Sequence, residues 1–489
     1  MMLKNTSLAF ACSVLALMLT VRLAGAAEGS SQLHERVAEI VDAEAKYDLF
    51  SGAVLVAQDG NIIYAGGVGE ENKEYGIPNT PETKFNISSV QKTFIGTLIM
   101  QLCQDGVISL DDPIKKFYPE CPWQAAGEVY VGNLLNHTSG LGDYRDNAEY
   151  QANADNYTSI DEVLPLVFKL EEPTKYVPGG RVRYSNTGVL LAKGIIERVT
   201  GKKLNEVLNK RILKPLGMTN TTLFVGGQLL KNRATAYRLA GDGQSYLRVL
   251  GEPSAYAGGG IYTCVLDLLK FDQALYGEDL LSEEYRNIMF TPAEGIPFAY
   301  GWIVTEFGGT TVVYHGGGSG GFNSEFRRYP EKGYTVIVLS NYEGAAYELA
   351  NKIDCMLLGL PYAIATEHDR DFRLGMTCQE GNSYTGAIEH FEKNILTGQP
   401  HMPSLYQSAR TRLLGEFEQA KAIELLDRYI SLADESTRPS IAAAWWRKGV
   451  AHEQLGNTEQ AIACHEKCLE LDETFEDARE ALDRLKSKN

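Results

Sequence analysis

Ser89-Val90-Gln91-Lys92 heads a run in which Phe94, Ile95, Leu98 and Ile99 fall at helical spacing out to about residue 104. A separation of three puts the hydroxyl of Ser89 and the amine of Lys92 on one helix face. A serine hydroxyl is a poor nucleophile until a neighbour takes its proton. Lys92 is such a neighbour, provided burial or nearby positive charge lowers its pKa. The helix start adds backbone N–H groups and the positive end of the dipole, where an oxyanion can form. Ser88 is also near the helix start, but three residues on it meets Gln91, so the register falls on Ser89. Taken alone, the pair is equally a helix-capping serine beside an unrelated lysine.

Working outward, the segments on either side read as halves of one sheet. Upstream, Leu33, Val37, Ile40, Val41 and Ala45 trace an amphipathic helix, and Ala53 to Ala57 is a continuous apolar strand. Gln58-Asp59-Gly60-Asn61 carries the Asp-Gly hairpin signal and returns the chain into Ile62-Ile63-Tyr64. Residues 107 to 255 mix short helices with Pro/Gly turns, including helices over Leu190 to Val199 and Leu204 to Ile212. A helix over Thr263 to Tyr276 leads into strand-like runs at Tyr300 to Glu306, Thr310 to Tyr314, Phe322 to Tyr329 and Tyr334 to Ser340, closed by a helix from Ala345 to Leu358. The expected fold class is α+β: an antiparallel sheet flanked by helices, with an inserted helical subdomain and a cleft between the two parts.

Beyond about residue 365 the composition shifts toward Ala, Leu and Glu. Ala442 to Phe475 matches the tetratricopeptide pattern of about 34 residues, with Trp445, Gly449, Gly456, Ala461 and Cys468 in register. Weaker helix-pair signals lie near 401 to 434, with Gly415 and Ala420, and in a pair ending at Ala387 and Phe391. The expected layout is a signal peptide over 1–26, an α+β domain carrying Ser89 over 27–362, a linker over 363–380 and an all-α helical-repeat domain over 381–489. The signal rests on Lys4, the apolar run Leu8 to Val21 and the small residues Ala24-Gly25-Ala26, and it implies a periplasmic or secreted protein with no stable membrane span after cleavage. Seven cysteines follow the signal, an odd number that leaves at least one outside any intrachain pair.

Two further elements give the serine and lysine a context. Tyr184-Ser185-Asn186 precedes a helix; the phenol can shuttle protons, and Asn186 can hold Lys92 or a substrate amide. His315-Gly316-Gly317-Gly318 ends a strand, and its glycines let a substrate lie against the backbone. Taken together and in this order, the three elements resemble the serine beta-lactamase and penicillin-binding-protein superfamily, in its class C beta-lactamase-like branch. The resemblance covers about residues 30 to 360. Leu134-Leu135-Asn136-His137-Thr138-Ser139-Gly140-Leu141 and Ala257-Gly258-Gly259-Gly260 support it. It implies Ser89 as acylated nucleophile, Lys92 as its base partner and Tyr184 as general base and acid. It also implies oxyanion N–H groups from Ser89 and Gly318, with Asn186, His315 and Gly317 beside the substrate.

One departure bears on substrate. That superfamily's third motif usually opens with a lysine, whose charge helps seat a substrate carboxylate; here His315 stands there, a residue mostly neutral at pH 7. Arg327 or Arg328 is the expected substitute for that charge. The expected activity is an exported serine hydrolase, an esterase or a D-peptide or DD-peptidase-type amidase. A beta-lactamase, or a silent penicillin-binding-like scaffold, is the alternative. His137 reads as a turn residue. Lys and Arg number 46 against 63 Asp and Glu, a net charge of −17 that gives no attraction to nucleic acid. The expected partners are a small-molecule or peptide substrate, and another protein or a second copy held by the repeats. No metal or organic cofactor is implied.

Overall fold

The computed structural model describes residues 31–157, 159–171, 182–224, 229–249, 260–293, 295–396 and 400–487. The signal expected over 1–26 and Ala257-Gly258-Gly259 lie outside them. Two compact units result. One comprises the stretch ending at Lys46 with Phe50–Tyr237 and Arg248–Ile364; the other comprises Tyr47–Leu49, Arg238–Leu247 and the chain from Ala365 onward.

The first unit is built on six strands: β1 (Gly52–Gln58), β2 (Asn61–Val68), β3 (Ile303–Phe307), β4 (Thr310–Ser319), β5 (Phe322–Tyr329) and β6 (Tyr334–Ser340). Their order is β3-β4-β5-β6-β1-β2, so the two sequence ends meet at the β6–β1 pair, where Leu55 faces Ile337. Asp59 and Gly60 at the β1–β2 turn have φ of 50° and 76°, the left-handed pair that a tight hairpin of this hand requires. The apolar continuity of β1 follows from burial on both sheet faces. Val54, Val56, Val336 and Val338 pack against helix α1 (residues 31–46) and a later helix over Ala345–Leu357. Ala53, Leu55, Ile337 and Leu339 face the opposite core, with helix α2 (Gln91–Gln104).

That second core carries the inserted helices, among them α3 (Asn186–Thr200) and α4 (Val265–Ala274). Phe94 of α2 stacks on Phe271 of α4 at 4.1 Å. A small three-stranded sheet feeds the chain into α2: Phe85-Asn86 pairs with Gly260–Thr263, which also pairs with Thr222–Phe224. All seven cysteines among the described residues are free thiols.

After α5 (Ala345–Leu357), the second unit contains α6 (Glu367–Glu380), α7 (Tyr384–Lys393), α8 (Met402–Leu414), α9 (Gln419–Leu432), α10 (Ile441–Gln454), α11 (Thr458–Leu471) and α12 (Glu476–Lys486). The stretch 363–380, expected as a linker, is mostly helix α6. A reciprocal cap between Thr366 and Asp369 starts it, and Phe372 packs on Phe391 of α7 at 5.8 Å. The expected repeat position Ala420 is exposed, and Ala422 is the buried small residue instead. Glu416 and Glu418 adopt left-handed φ of 55° and 49° in the α8–α9 turn, and the turn shifts the register. The last pair follows the sequence pattern: Ala461 and Cys468 are fully buried, and Gly456 turns the chain at φ 76°.

Candidate active site

Backbone geometry places Ser89 before any side chain does. Ile87 N–H bonds to Ile261 O at 3.0 Å, anchoring the chain to the small sheet. Ser88 then takes φ 48°, a left-handed conformation that a non-glycine residue adopts only under constraint. The constraint is Asn86, whose Oδ1 accepts Ser88 N–H at 2.8 Å. From there a 3₁₀ turn, Ser88–Val90, runs into α2 and turns Ser89 toward a pocket of about 110 Å3.

Within that pocket Ser89 Oγ accepts from Lys92 Nζ at 2.9 Å and from Tyr184 OH at 2.9 Å. Lys92 also donates to Asn186 Oδ1 at 3.0 Å. Asn186 is oriented in turn: its Nδ2 donates to Asp143 Oδ2 at 2.6 Å, and Asp143 grips Arg145 at 3.0 Å and 3.1 Å. On the other side β4 comes close to the nucleophile. A Cβ at Gly317 would run into Ile87 O and stand 3.0 Å from Ser89 N. Only a glycine lets the strand lie there, and its carbonyl is fixed by Asn323 Nδ2 at 2.9 Å.

Charge follows from this packing. Lys92 is 3% exposed, and burial, then the nearby Lys193 and Arg145, lower its pKa to about 7 against a smaller upward pull from Asp143. Burial pushes the Asp143 carboxyl up, but donors from Arg145 and Asn186 outweigh it and hold the group below the usual range. Tyr184 is 39% exposed as a residue, yet packing around its hydroxyl raises the phenol above its ordinary value, against the opposing Ser89 bond and Arg145. The resting site therefore pairs an amine that is half neutral at pH 7 with a protonated phenol, both within one hydrogen bond of Ser89.

The structure brings Ser89, Lys92, Tyr184, Asn186 and the Gly317-Gly318 backbone together. His315 is buried in β4, 3% exposed, with Nδ1 2.6 Å from Gly316 O, and burial and then Lys92 lower its pKa to about 3, so it brings no charge. Arg327 and Arg328 do not replace that charge. Arg327 is locked to Glu325 at 2.9 Å and Asp354 at 2.5 Å, and Arg328 to Asp272 at 2.5 Å, all inside the protein. His137 turns at φ 60° as expected, but its ring lies 4.3 Å from that of Tyr184, and Ser185 N–H donates to its Nδ1 at 3.3 Å. It presents the tyrosine. Sequence reasoning missed Asp143, Arg145 and Lys193. For Lys193 a signal existed: it lies on the face of α3 that carries Asn186.

Comparison with known proteins places these features in a family. The family model described as Beta-lactamase matches residues 35–354, and that described as Tetratricopeptide repeat matches residues 442–475. The chain is similar to penicillin-binding protein 4* of Bacillus subtilis, 28% identical over 343 residues, covering 64% of this chain and 74% of that one. It is 27% identical over 310 residues to a teichoic acid D-alanine hydrolase of Staphylococcus aureus, covering 62% and 73%. Among solved structures, D-amino acid amidase from Ochrobactrum anthropi SV3 superimposes with a TM-score of 0.58 at 26% identity, over 67% of this chain and 98% of that one.

Proposed function

The chain belongs to the beta-lactamase family and is a serine hydrolase, and we propose that it works through an acyl-enzyme on Ser89, cleaving amide or ester bonds next to D-amino acids. The observation that carries this reading is the convergence of Lys92 Nζ and Tyr184 OH on Ser89 Oγ, each at 2.9 Å.

Neutral Lys92 takes the Ser89 proton as Oγ attacks the carbonyl. The Ser89 and Gly318 N–H groups hold the resulting oxyanion, which the approach of β4 to Ser89 N favours. Tyr184 gives its proton to the leaving group and regains one from Lys92, whose Nζ stands 5.0 Å from the centre of its ring. Water then reverses the roles, returning a proton to Ser89 and releasing the acid. The names of the relatives supply the D-amino-acid preference. A neutral His315 supports peptide or ester cleavage over beta-lactam turnover.

The first 26 residues support action outside the cytoplasm, and the helix pairs support contact with another protein. Incubation with a fluorophosphonate, followed by peptide mass mapping, is expected to place one adduct on Ser89. D-alanyl p-nitroanilide is expected to be cleaved faster than its L-enantiomer. No adduct with several probes, or equal rates for the enantiomers, overturns the corresponding part of the reading.

A further inference from the structure

Asn86 enters the Ser89 pocket from the small three-stranded sheet and is 1% exposed. Its place is fixed twice. Its backbone carbonyl accepts Ser324 Oγ at 3.5 Å, and its side-chain Oδ1 accepts Ser88 N–H at 2.8 Å. The second bond settles which end of the amide is which. It leaves Nδ2 facing Gly260, where a Cβ would stand 2.9 Å from that nitrogen. Gly260 lines the same pocket, as do Gly318 and Ser319 of β4. Among the described residues Asn86 Nδ2 has no hydrogen-bond acceptor, although it is fully buried. Ser88 Oγ, also buried and in the same wall, has no partner among them either.

A buried amide proton without an acceptor is rare in a folded protein. Here it stands in the wall of the pocket that holds the nucleophile, where an arriving substrate can supply the acceptor. Tyr184, which serves the leaving group, comes from the segment before α3, whereas Asn86 borders the pocket with Gly318 and Ser319. The geometry points to Asn86 as a specificity residue for the acyl portion: Nδ2 donates to the carbonyl oxygen of an acyl group carried on the nitrogen of the reacting residue. The pocket then takes N-acylated D-residues, as they occur within a peptide, ahead of free D-amino acid derivatives. A free α-ammonium would set a donor against a donor and bring further positive charge beside Lys92. Ser88 Oγ, able both to donate and to accept, can serve the N–H of the same amide. This rests on the D-residue reading above and names the substrate class within it.

The test compares N-acetyl-D-alanine p-nitroanilide with D-alanine p-nitroanilide, on the full chain and on Asn86→Asp. Aspartate keeps an oxygen to accept Ser88 N–H and puts a second acceptor where Nδ2 stands, so the turn before Ser89 is retained while the donor is lost. Wild type is expected to prefer the acetylated substrate. Asn86→Asp is expected to lower the acetylated-to-free ratio of kcat/KM by roughly tenfold to a hundredfold, because the bond to the acyl carbonyl goes and the new carboxylate attracts the ammonium. Any effect of that carboxylate on Lys92 falls on both substrates, so the ratio isolates the contact. A ratio unchanged by Asn86→Asp, or equal wild-type rates on the two anilides, overturns the proposal.

A second variant keeps the asparagine and crowds it. Gly260→Ala brings a Cβ to 2.9 Å from Nδ2 and is expected to lower the same ratio. It decides the matter if Asn86→Asp does not fold, and an unchanged ratio there overturns the proposal. If wild type cleaves neither anilide, the D-residue reading fails, and the p-nitrophenyl esters of N-acetylglycine and glycine, compared on the same proteins, still decide whether Asn86 selects an N-acyl group.

Discussion

Replacing Lys92 by methionine tests the electrostatics of the site on stability as well as rate. Methionine keeps the unbranched shape and removes the titrating group. Inside the fold the Lys92 pKa is about 7, against 10.5 when it is solvated. The unfolded chain therefore binds a proton over the whole interval in which the folded chain has lost it. Wild-type stability accordingly rises with pH between those two values. The full shift corresponds to about 5 kcal/mol. Across the window from pH 7 to pH 9, linkage gives a wild-type gain of about 2 kcal/mol that Lys92→Met cannot show. The bonds lost to Ser89 and Asn186 shift the variant by an amount independent of pH, so the informative quantity is the change in the difference. Urea unfolding of the full chain, read by hydrogen exchange on peptides of α2, reports this unit alone. The variant's stability relative to wild type is expected to fall by about 2 kcal/mol from pH 7 to pH 9, with hydrolysis lost at both. A difference that stays flat over that range refutes the account of how Lys92 is made a base.

The same pKa fixes the pH profile. For p-nitrophenyl acetate, kcat/KM is expected to rise about tenfold per pH unit below pH 7 and to level above it, whereas an unperturbed amine would keep the rate climbing past pH 9. Tyr184→Phe should slow amide cleavage by roughly 10²- to 10⁴-fold and aryl-ester cleavage much less, because nitrophenolate leaves without a proton; equal losses on both would remove the tyrosine from the leaving-group step. Gly317→Ala should lower the thermal midpoint and the rate together, since its Cβ meets Ile87 O and stands 3.0 Å from Ser89 N. Gly318→Ala, whose Cβ would find its nearest neighbour 3.8 Å away, should leave the midpoint in place.

What the sequence made legible was local pattern. The α2 stripe, the Asp59-Gly60 turn and the runs that became β1, β5 and β6 each carry a period or turn chemistry that tertiary packing then exploits. The meeting of Ser89, Lys92 and Tyr184 was suggested only by the order of several short motifs taken together, since each motif alone is common. The misses have a common cause, which is that the deciding partner is far away in the chain. Asp143 matters only because Asn186 folds onto it, and Arg327 and Arg328 are unavailable only because Glu325, Asp354 and Asp272 pack against them. Helix α6 was hidden differently: its apolar side consists of a few residues such as Phe372, whose partner Phe391 belongs to the next helix.

Neutral Lys92 and neutral His315 answer the same physical demand. A general base must lose its proton near the working pH, and in this pocket burial, Lys193 and Arg145 achieve that for Lys92. An ammonium fixed at position 315 would add another positive charge beside Lys92 within the dry interior of β4, where His315 is 3% exposed. It would need a carboxylate partner there, and Asp354, Glu325 and Asp272 are already committed to Arg327 and Arg328. Holding the positive charge on α3 and Arg145 avoids that conflict. There the two cations still depress Lys92, while Glu197 offsets Lys193 and Asp143 offsets Arg145. A neutral residue at position 315 and the cations beside Lys92 thus serve one electrostatic demand, an amine that gives up its proton near neutral pH.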